Sequence, residues 1–586
     1  MTDGFEVVDR DGPARLGELR LTEPLITPAV ADEVLVDAGS LWTAERSVPA
    51  TTDEALTVLP HRGMPTGTRP VVQEAFTPDV PEVDGPVAAV VTAETATDRP
   101  VDAYVVSGLT GLVGDSRRLV GAITGVREAV PSDTALIAPG VATPATIPLL
   151  VYAGVDLVDT DAAVVAGMDG RYLLSTGETP IDRLSELPCR CSVCTGQSPA
   201  DLDRSAIADH NVAAREAELA TVRERIRRGR IREYLEGQVR HVPWLTAGMR
   251  VLDDDWSYLE QRTPVVRQAR LDFTTDDALR RVEVLRFAER VTERYRPRLD
   301  DRPLVLLPCS KTKPYSESPS HRDFREAIDY RAHIVSMTSP LGVVPDELEL
   351  VYPAQHYEVA VTGRWSASER EQVADVLAAY LDGTDYPRII AHVPPEGYRD
   401  VVDRAVAVAD TSAEVVYTVD DHPRDDTALD ALDDVLAGTM RYPRERRFDA
   451  VVRGIADVQF GAGAGDALFD TPEIRGRYPR LRVYEDGDQL ATIVHQYGQL
   501  ALTLAGAERW LTADLPTQTV SIEAFVPHGS VLAPGVVDAS ASIRVGDEVV
   551  IDGPTAFGVG RAMMSGPEMV ESTRGIAVDV RHVRER

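Results

Sequence analysis

Residues 304–321 read LVLLPCSKTKPYSESPSH, and their composition sets them apart from the rest of the chain. Lysine and arginine together number 61, yet Lys311 and Lys313 are the chain's two lysines. Where lysine has been replaced so thoroughly, a surviving pair directly after Cys309 marks a place that needs a compact ammonium with rotatable donors rather than a planar guanidinium. The plain alternative is two residual surface lysines. Leu304 to Leu307 is a short apolar run bounded by Pro303 and Pro308, the pattern of a buried strand that stops abruptly. Cys309 therefore falls just beyond a strand end. A thiol with cations two and four residues on has the electropositive setting that favours the thiolate, and the polar neighbours Ser310, Lys311, Thr312 and Lys313 speak against a buried structural cysteine.

Working outward, DELELVYPA (346–354), PRIIAHVPP (387–395) and AEVVYTVDD (413–421) read as strands, and SASEREQVADVLAAYLDG (366–383) as a helix. Together they predict an α/β unit over 301–438. His321, His333, His356 and His392 all fall in it, with Tyr352 and His356 as weaker pocket candidates. Upstream, VAAVVTAE, DAYVVSGL, DTALIAPGVA and AGVDLVDTDAA alternate with helical stretches, which implies βα units and a parallel sheet. Periodicity alone leaves open whether that sheet closes into a barrel. Residues 215–300 show helical periodicity apart from a Gly/Pro break near 243–248. After 515, short β-runs divided by Gly529, Gly535, Gly546, Gly553 and Gly558 predict a compact barrel with tight turns.

The length of 586 residues is too great for one core and suggests about three to five domains. A hydrophobic fraction of 44% is ordinary and excludes general disorder. The net charge of -33 and pI near 4.7 are not ordinary, and the acids are spread along the chain. A diffuse acidic surface with Arg in place of Lys resembles a haloarchaeal cytoplasmic protein, where strong screening makes such self-repulsion tolerable. Acidity weighs against a nucleic-acid partner unless a local patch supplies the basic footprint. Two stretches offer one: Arg223, Arg225, Arg227, Arg228, Arg230 and Arg232, then Arg441, Arg444, Arg446 and Arg447. Either a phosphate contact or a solvated face laced with Glu fits the first. The polar start is neither a signal nor a transit sequence, no apolar run reaches membrane-spanning length, and four cysteines are not a disulfide framework. A reducing cytoplasm and no membrane partner are expected.

Cys189, Cys191 and Cys194 form Cys-x-Cys-x-x-Cys, and His210 follows. Three thiolates and one imidazole suit tetrahedral Zn²⁺, and four protein ligands leave no open position, so the site is expected to be structural. Ser198, Pro199 and Asp201 look like a helix N-cap and first turn, which places His210 along a helix.

The run PCSKTKPYSESPSH resembles the signature of the archaeosine synthase family. These archaeal enzymes are related to tRNA-guanine transglycosylases and act on 7-cyano-7-deazaguanine (preQ0) at position 15 of tRNA. The matching positions are Pro308, Cys309, Ser310, Lys313, Pro314, Tyr315, Ser318 and His321. ARLG at 14–17, AYVVSGLTGLVGD, the 139–161 segment and the later cysteines run in transglycosylase order. The resemblance implies a transglycosylase-like TIM barrel over 1–245 with the zinc site, a helical connector over 246–300, a catalytic α/β domain over 301–438, a small α/β domain over 439–512 and a C-terminal PUA β-barrel for RNA over 513–586. In the barrel it places Gly108 and Leu109 on the loop that faces the base, Ser107 replacing a glycine, and Asp159 at the nucleophile's position. His210-Asn211 matches the end of the family's zinc motif. Two departures make the barrel degenerate: the Asp-Ser-Gly motif is absent, and Thr160, Asp161 and Ala162 stand where Pro-Thr-Arg follows the nucleophile.

The chemistry implied is attack of the Cys309 thiolate on the nitrile carbon of preQ0, giving a thioimidate that an amine converts to an amidine. Lys311 or Lys313 would hold the thiolate and stabilise charge on nitrogen, and His321 or Tyr315 would supply a proton. Ser310 belongs with them, and Ser318 with the substrate-binding residues. The family's amine is either ammonia from glutamine or lysine with a radical-SAM partner protein, and a homodimer is compatible. The rival readings are an active tRNA-guanine(15) transglycosylase inserting preQ0 by base exchange, and a non-catalytic tRNA-binding scaffold.

Overall fold

A computed structural model describes residues 4–37, 54–61, 68–69, 71–72, 85–360 and 364–586; the polar start at 1–3 lies outside them. The chain divides into two compact units, one of residues 1–264 with 531–544 and 564–577, the other of 265–530 with 545–563 and 578–586.

In the first unit, seven strands lie side by side in the order Ala29–Val30, Leu157–Val158, Ala135–Ala138, Ala103–Val106, Val87–Val91, Leu56–Val58 and Leu35–Asp37. Every neighbouring pair is parallel. The first strand lies beside the last and the others follow in sequence, which is a barrel's cyclic order, with one seam between Ala29–Val30 and Leu35–Asp37 among the described residues. The central strands are apolar throughout because both faces are covered. Buried carboxylates tie the strands to the N-terminal hairpin: Asp156 takes Arg15 through Nε at 2.8 Å and the Leu136 amide at 2.8 Å, while Asp102 accepts the Gly4 and Val87 amides.

Two expectations need correction here. Pro243 does not break a helix but starts one, Pro243–Asp253, at the first helical position where its missing N–H costs nothing. Gly248 sits inside that helix because a Cβ would meet Leu149 Cδ2 at 2.7 Å. The first arginine cluster is not a free phosphate patch either. Arg232 is buried between Glu236 and Asp253, Arg223 donates to the Pro28 carbonyl, Arg225 lies over Tyr234, and Arg227 and Arg228 pair with Glu224.

The second unit is built on a five-stranded sheet in the order Gly342–Pro345, His333–Thr338, Leu304–Pro308, Arg388–Ala391, Glu414–Tyr417. All pairs are parallel except the first. Leu304–Pro308 is the central strand and Leu304 to Leu307 are fully buried. The helix Ala367–Asp382 starts at a capping box of Ser366 and Glu369. The expected connector at 246–300 is divided: Trp256–Arg262 is helix, but Leu271–Phe273 is a strand beside Tyr357–Val359. Next come four antiparallel strands, Glu473–Arg477, Arg480–Glu485, Asp488–Val494 and Gln499–Leu502, with the helices Arg444–Phe460 and Leu504–Thr512. The C-terminal strands Glu548–Asp552, Ala556–Ala562 and Ile576–Glu585 pair antiparallel, and Gly560 is needed where a Cβ would strike the Asp579 carbonyl oxygen at 2.3 Å.

DELELVYPA is not a strand. Its alternation of acid and apolar residues suggests one wet face, but both sets are buried, and Asp346–Leu348 is a short 3₁₀ turn. The acids are matched instead by arginines and by buried hydrogen-bonding groups. Asp346 takes Arg325 and Arg447, the latter at 2.8 Å; Glu347 pairs with His333 at 2.9 Å; Glu349 accepts Tyr478 Oη at 2.6 Å and the Ser316 amide at 2.7 Å. The second arginine cluster is consumed in the same way, since Arg441 and Arg446 pair with Asp329 and Asp301, and Arg444 lies over Phe448.

Removing one partner from this network leaves a buried charge uncompensated, so Arg447→Met is expected to cost about 3–5 kcal/mol in a urea titration of the intact chain. Burial alone would raise the Asp346 carboxyl, but Arg325 and Arg447 overcome it and hold it well below the usual carboxylate range. A depressed folded pKa contributes stability that is present above about pH 4 and lost as pH falls below it, and Arg447→Met is expected to flatten that acid limb.

Candidate functional site

In chain order the sheet of the second unit places its third, second, first, fourth and fifth strands side by side. The connections that follow Leu304–Pro308 and Arg388–Ala391 therefore leave in opposite directions, which opens a crevice beyond the carboxyl ends of these two strands. Cys309 stands on one lip of it, its amide donating to the Met337 carbonyl at 3.1 Å. The segment 394–398 forms the other lip. A cavity of about 260 Å³ lies between them, lined by Cys309, Ser310, Lys311, Lys313, Thr338, Tyr357, Trp365 and Tyr398, with the carboxylates of Glu358, Glu369 and Glu396 at its edge.

The Cys309 thiol is half-buried, and its Sγ lies 3.5 Å from Tyr398 Oη. Lys313 Nζ sits 3.9 Å from the centre of the Tyr357 ring, a cation–π contact. Burial lowers the Lys313 ammonium's pKa and outweighs the opposing charges of Cys309 and Glu358. Lys311 is exposed at the rim. Ser310 Oγ lies 2.7 Å from Ser318 Oγ, which lies 2.9 Å from Ser320 Oγ, so these hydroxyls brace the loop. Tyr315, 3% exposed, holds Tyr357 Oη at 2.8 Å, and Tyr357 in turn holds Thr338 Oγ1 at 2.5 Å.

His321 stands apart from the cavity. It is 1% exposed, its Nε2 donates to the Pro308 carbonyl at 3.0 Å and its ring stacks on Tyr315. Burial, with Arg325 nearby, lowers its pKa to about 4, so it is neutral at neutral pH. It holds the strand end rather than reaching the thiol. The other histidines are likewise engaged: His333 lies between Glu347 and Tyr386, His392 between Thr418 and the Pro423 carbonyl, and Tyr352 packs on His356. The sequence reading missed Tyr398, Trp365, Tyr357 and the three edge carboxylates. One signal was present: Pro394-Pro395-Glu396-Gly397 directly follows an apolar strand, as PC follows LVLL.

In the first unit, Gly108 has φ 80° at the head of a short 3₁₀ turn that begins with the buried Leu109. Asp159 follows the strand Leu157–Val158 and accepts the Gly140 amide at 2.9 and 2.8 Å on its two oxygens. Burial raises its pKa, opposed by that amide. Asp159 is thus a satisfied carboxylate at a strand end.

Cys189, Cys191, Cys194 and His210 converge, with their ligand atoms all within 4.8 Å of one another. His210 Nδ1 lies 3.6 Å from Cys191 Sγ and 3.4 Å from Cys194 Sγ. Tetrahedral ligands at about 2.3 Å for sulfur and about 2.0 Å for nitrogen lie roughly 3.5 Å apart, so the cluster fits zinc. The other ring nitrogen donates to the Leu173 carbonyl at 3.0 Å, and Tyr172 stacks on the imidazole at 3.7 Å, which fixes the tautomer that presents Nδ1. Ser198 and Asp201 form a capping box as expected, but around a short turn; the helix that carries His210 starts at Arg204, capped by Asp203.

Four families match the chain. Queuine tRNA-ribosyltransferase covers residues 89–243, a domain of unknown function 284–436, the patch-forming domain C2 of tRNA-guanine transglycosylase 450–516, and the PUA domain 519–584. Cys309 and its cavity thus lie in the domain without an assigned function. Among curated proteins, the chain is 55% identical over 590 residues to archaeosine synthase of Haloferax volcanii, with all of both chains covered. It is 40% identical to archaeosine synthase subunit alpha of Methanosarcina acetivorans, again over all of both chains. To a tRNA-guanine(15) transglycosylase of Methanothermobacter thermautotrophicus it is 28% identical, over 83% of this chain and 72% of that one. On full-length identity of this order, the chain belongs to the archaeosine synthase family.

Proposed function

We propose that this tRNA-modifying enzyme of archaeosine biosynthesis converts preQ0 at position 15 of tRNA to an amidine by adding an amine to the nitrile through a thioimidate on Cys309. The observation that carries the reading is the thiol's place: Cys309 stands at the switch point of an α/β sheet, facing a cavity of about 260 Å³ that also holds Lys313 and Tyr398. Sulfur adds to the nitrile carbon, an amine attacks the thioimidate carbon, and the C–S bond breaks. Lys313, on the Tyr357 ring, faces the developing charge, and Lys311 at the rim adds a second ammonium. Ser310, Tyr315, Ser318 and His321 act through the shape of the loop. The amine is glutamine-derived ammonia or lysine, and lysine requires a radical-SAM partner to complete the amidine.

The division of labour we assign is preQ0-tRNA docking by the barrel at 1–245, chemistry at 301–438, support at 439–512 and RNA contact by the PUA segment at 513–586. Gly108 and Leu109 would offer backbone amides to the base. Zinc, held by Cys189, Cys191, Cys194 and His210, would supply fold stability alone, since no ligand position stays open.

Intact mass of the protein mixed with preQ0-tRNA and no amine is expected to show a covalent adduct that Cys309→Ala lacks. If Cys309→Ala forms the amidine at a comparable rate once an amine is added, the thioimidate is wrong. Lys313→Arg, though charge-conserving, is expected to lose most of the activity, because an arginine fork aims its donors differently from an ammonium.

Metal analysis is expected to find one zinc per chain, and chelation to loosen the first unit before the second. Well-folded protein without zinc would defeat this assignment.

The carboxylate of Asp159 is engaged by the Gly140 amide, and the residues after it depart from the transglycosylase pattern. Asp159→Asn is therefore expected to have a milder effect on amidine formation than Cys309→Ala. Uptake of labelled preQ0 into unmodified tRNA, lost in Asp159→Asn, would favour base exchange instead.

A further inference from the structure

The proton that completes the thioimidate needs a carrier, and His321 and Tyr315, the donors that the sequence offers, are not free to be it. His321 is enclosed, with Nε2 given to the Pro308 carbonyl. The hydroxyls of Tyr315 and Tyr357 are spent on each other and on Thr338. On the opposite lip, Tyr398 Oη lies 3.5 Å from Cys309 Sγ. Its ring is held against Trp365, with centroids 4.3 Å apart. The backbone before it turns at Gly397, with φ 79° and open space where a Cβ would stand, so the chain enters the helix ending at Val408 with the tyrosine at its head. That turn favours glycine because of the left-handed φ alone.

We propose that Tyr398 is a catalytic residue, its hydroxyl carrying the Cys309 thiol proton to the nitrile nitrogen of the base. This rests on the thioimidate reading above. A neutral tyrosine hydroxyl accepts and donates at once. As the C–S bond forms and one nitrile π-bond opens, the phenol gives its proton to nitrogen and takes the thiol's, so the tyrosine ends unchanged and the imidate nitrogen carries one N–H. In the second half, the amine nitrogen bonds to the thioimidate carbon and loses a proton to the phenol oxygen, the C–S bond breaks, and the phenol passes its own proton to sulfur, so the tyrosine again ends unchanged. No oxidant or further co-reactant is needed. Burial raises the Tyr398 pKa well above the ordinary tyrosine value, which keeps the donor protonated at neutral pH.

Tyr398→Phe removes the hydroxyl and leaves the ring on Trp365. In single-turnover reactions of full-length protein with preQ0-tRNA and no amine, followed by intact mass, adduct formation on Cys309 is expected to slow about 100-fold, while tRNA affinity stays within about twofold. The variant, unlike the wild type, is expected to speed up as imidazole buffer is added, because an external acid can then replace the phenol. A rate within about threefold of wild type overturns the assignment. So does a slow variant that imidazole does not rescue and that binds tRNA weakly, since that pattern reports a structural role. Absence of any adduct on the wild type removes the thioimidate itself, a failure distinct from that of Tyr398.

Discussion

Two buried carboxylates carry the architecture of the second unit. Glu349 accepts the Ser316 amide from the loop after Cys309, and also Tyr478 Oη from the strands that follow the sheet. Asp346, three residues earlier, binds Arg325 from the helix Pro319–Ile328 and Arg447 from the helix Arg444–Phe460. The loop after Cys309, its following helix and the next domain therefore share one set of charges. Burying acids at this density is costly unless each finds a cation or a donor, and here Asp346, Glu347 and Glu349 each have at least one such partner. A loop rich in serine and lysine has little apolar surface of its own to hold it, so its conformation depends on these bonds.

How much of this the chain announces in its sequence differs from place to place. The strand at Leu304–Pro308 and the cysteine just past it are plain, because a short apolar run between prolines has few other meanings. The three cysteines announce a metal by spacing. Tyr398 does not announce itself, since its contact with Cys309 spans 89 positions and exists because the fourth strand lies beside the first, a fact of topology that no local pattern carries. DELELVYPA misleads for a different reason: period-two alternation normally reports one wet face, and here the acids are dry and paired. Pro243 misleads because the same residue ends a helix from inside and begins one from its first turn.

The arginine-for-lysine exchange has a structural counterpart. Arginines that sequence reading offers to phosphate are tied to acids, carbonyls or aromatic rings of the same unit, as Arg232 to Asp253 and Arg446 to Asp301. Guanidinium forks suit such bidentate matching. With 94 acidic residues against 61 basic ones, what is left outside is mainly negative. At molar salt the Debye length is about 3 Å, so such a surface would repel RNA only at contact range.

The crevice has a mechanical consequence. Cys309 directly follows the buried central strand, while Tyr398 stands beyond the end of the neighbouring strand and past the turn at Gly397, its ring against Trp365. The spacing of hydrogen-bonded strands, about 4.8 Å, therefore fixes the sulfur's side of the crevice, and ring packing the phenol's side. Of the acids at the rim, Glu358 is the middle residue of a three-residue strand, and the exposed Glu396 lies on the same turn that leads into Tyr398. Under the proposed chemistry the two reacting groups thus have unequal supports, and a change in the packing of Trp365 would move the phenol while leaving the sulfur where its strand holds it.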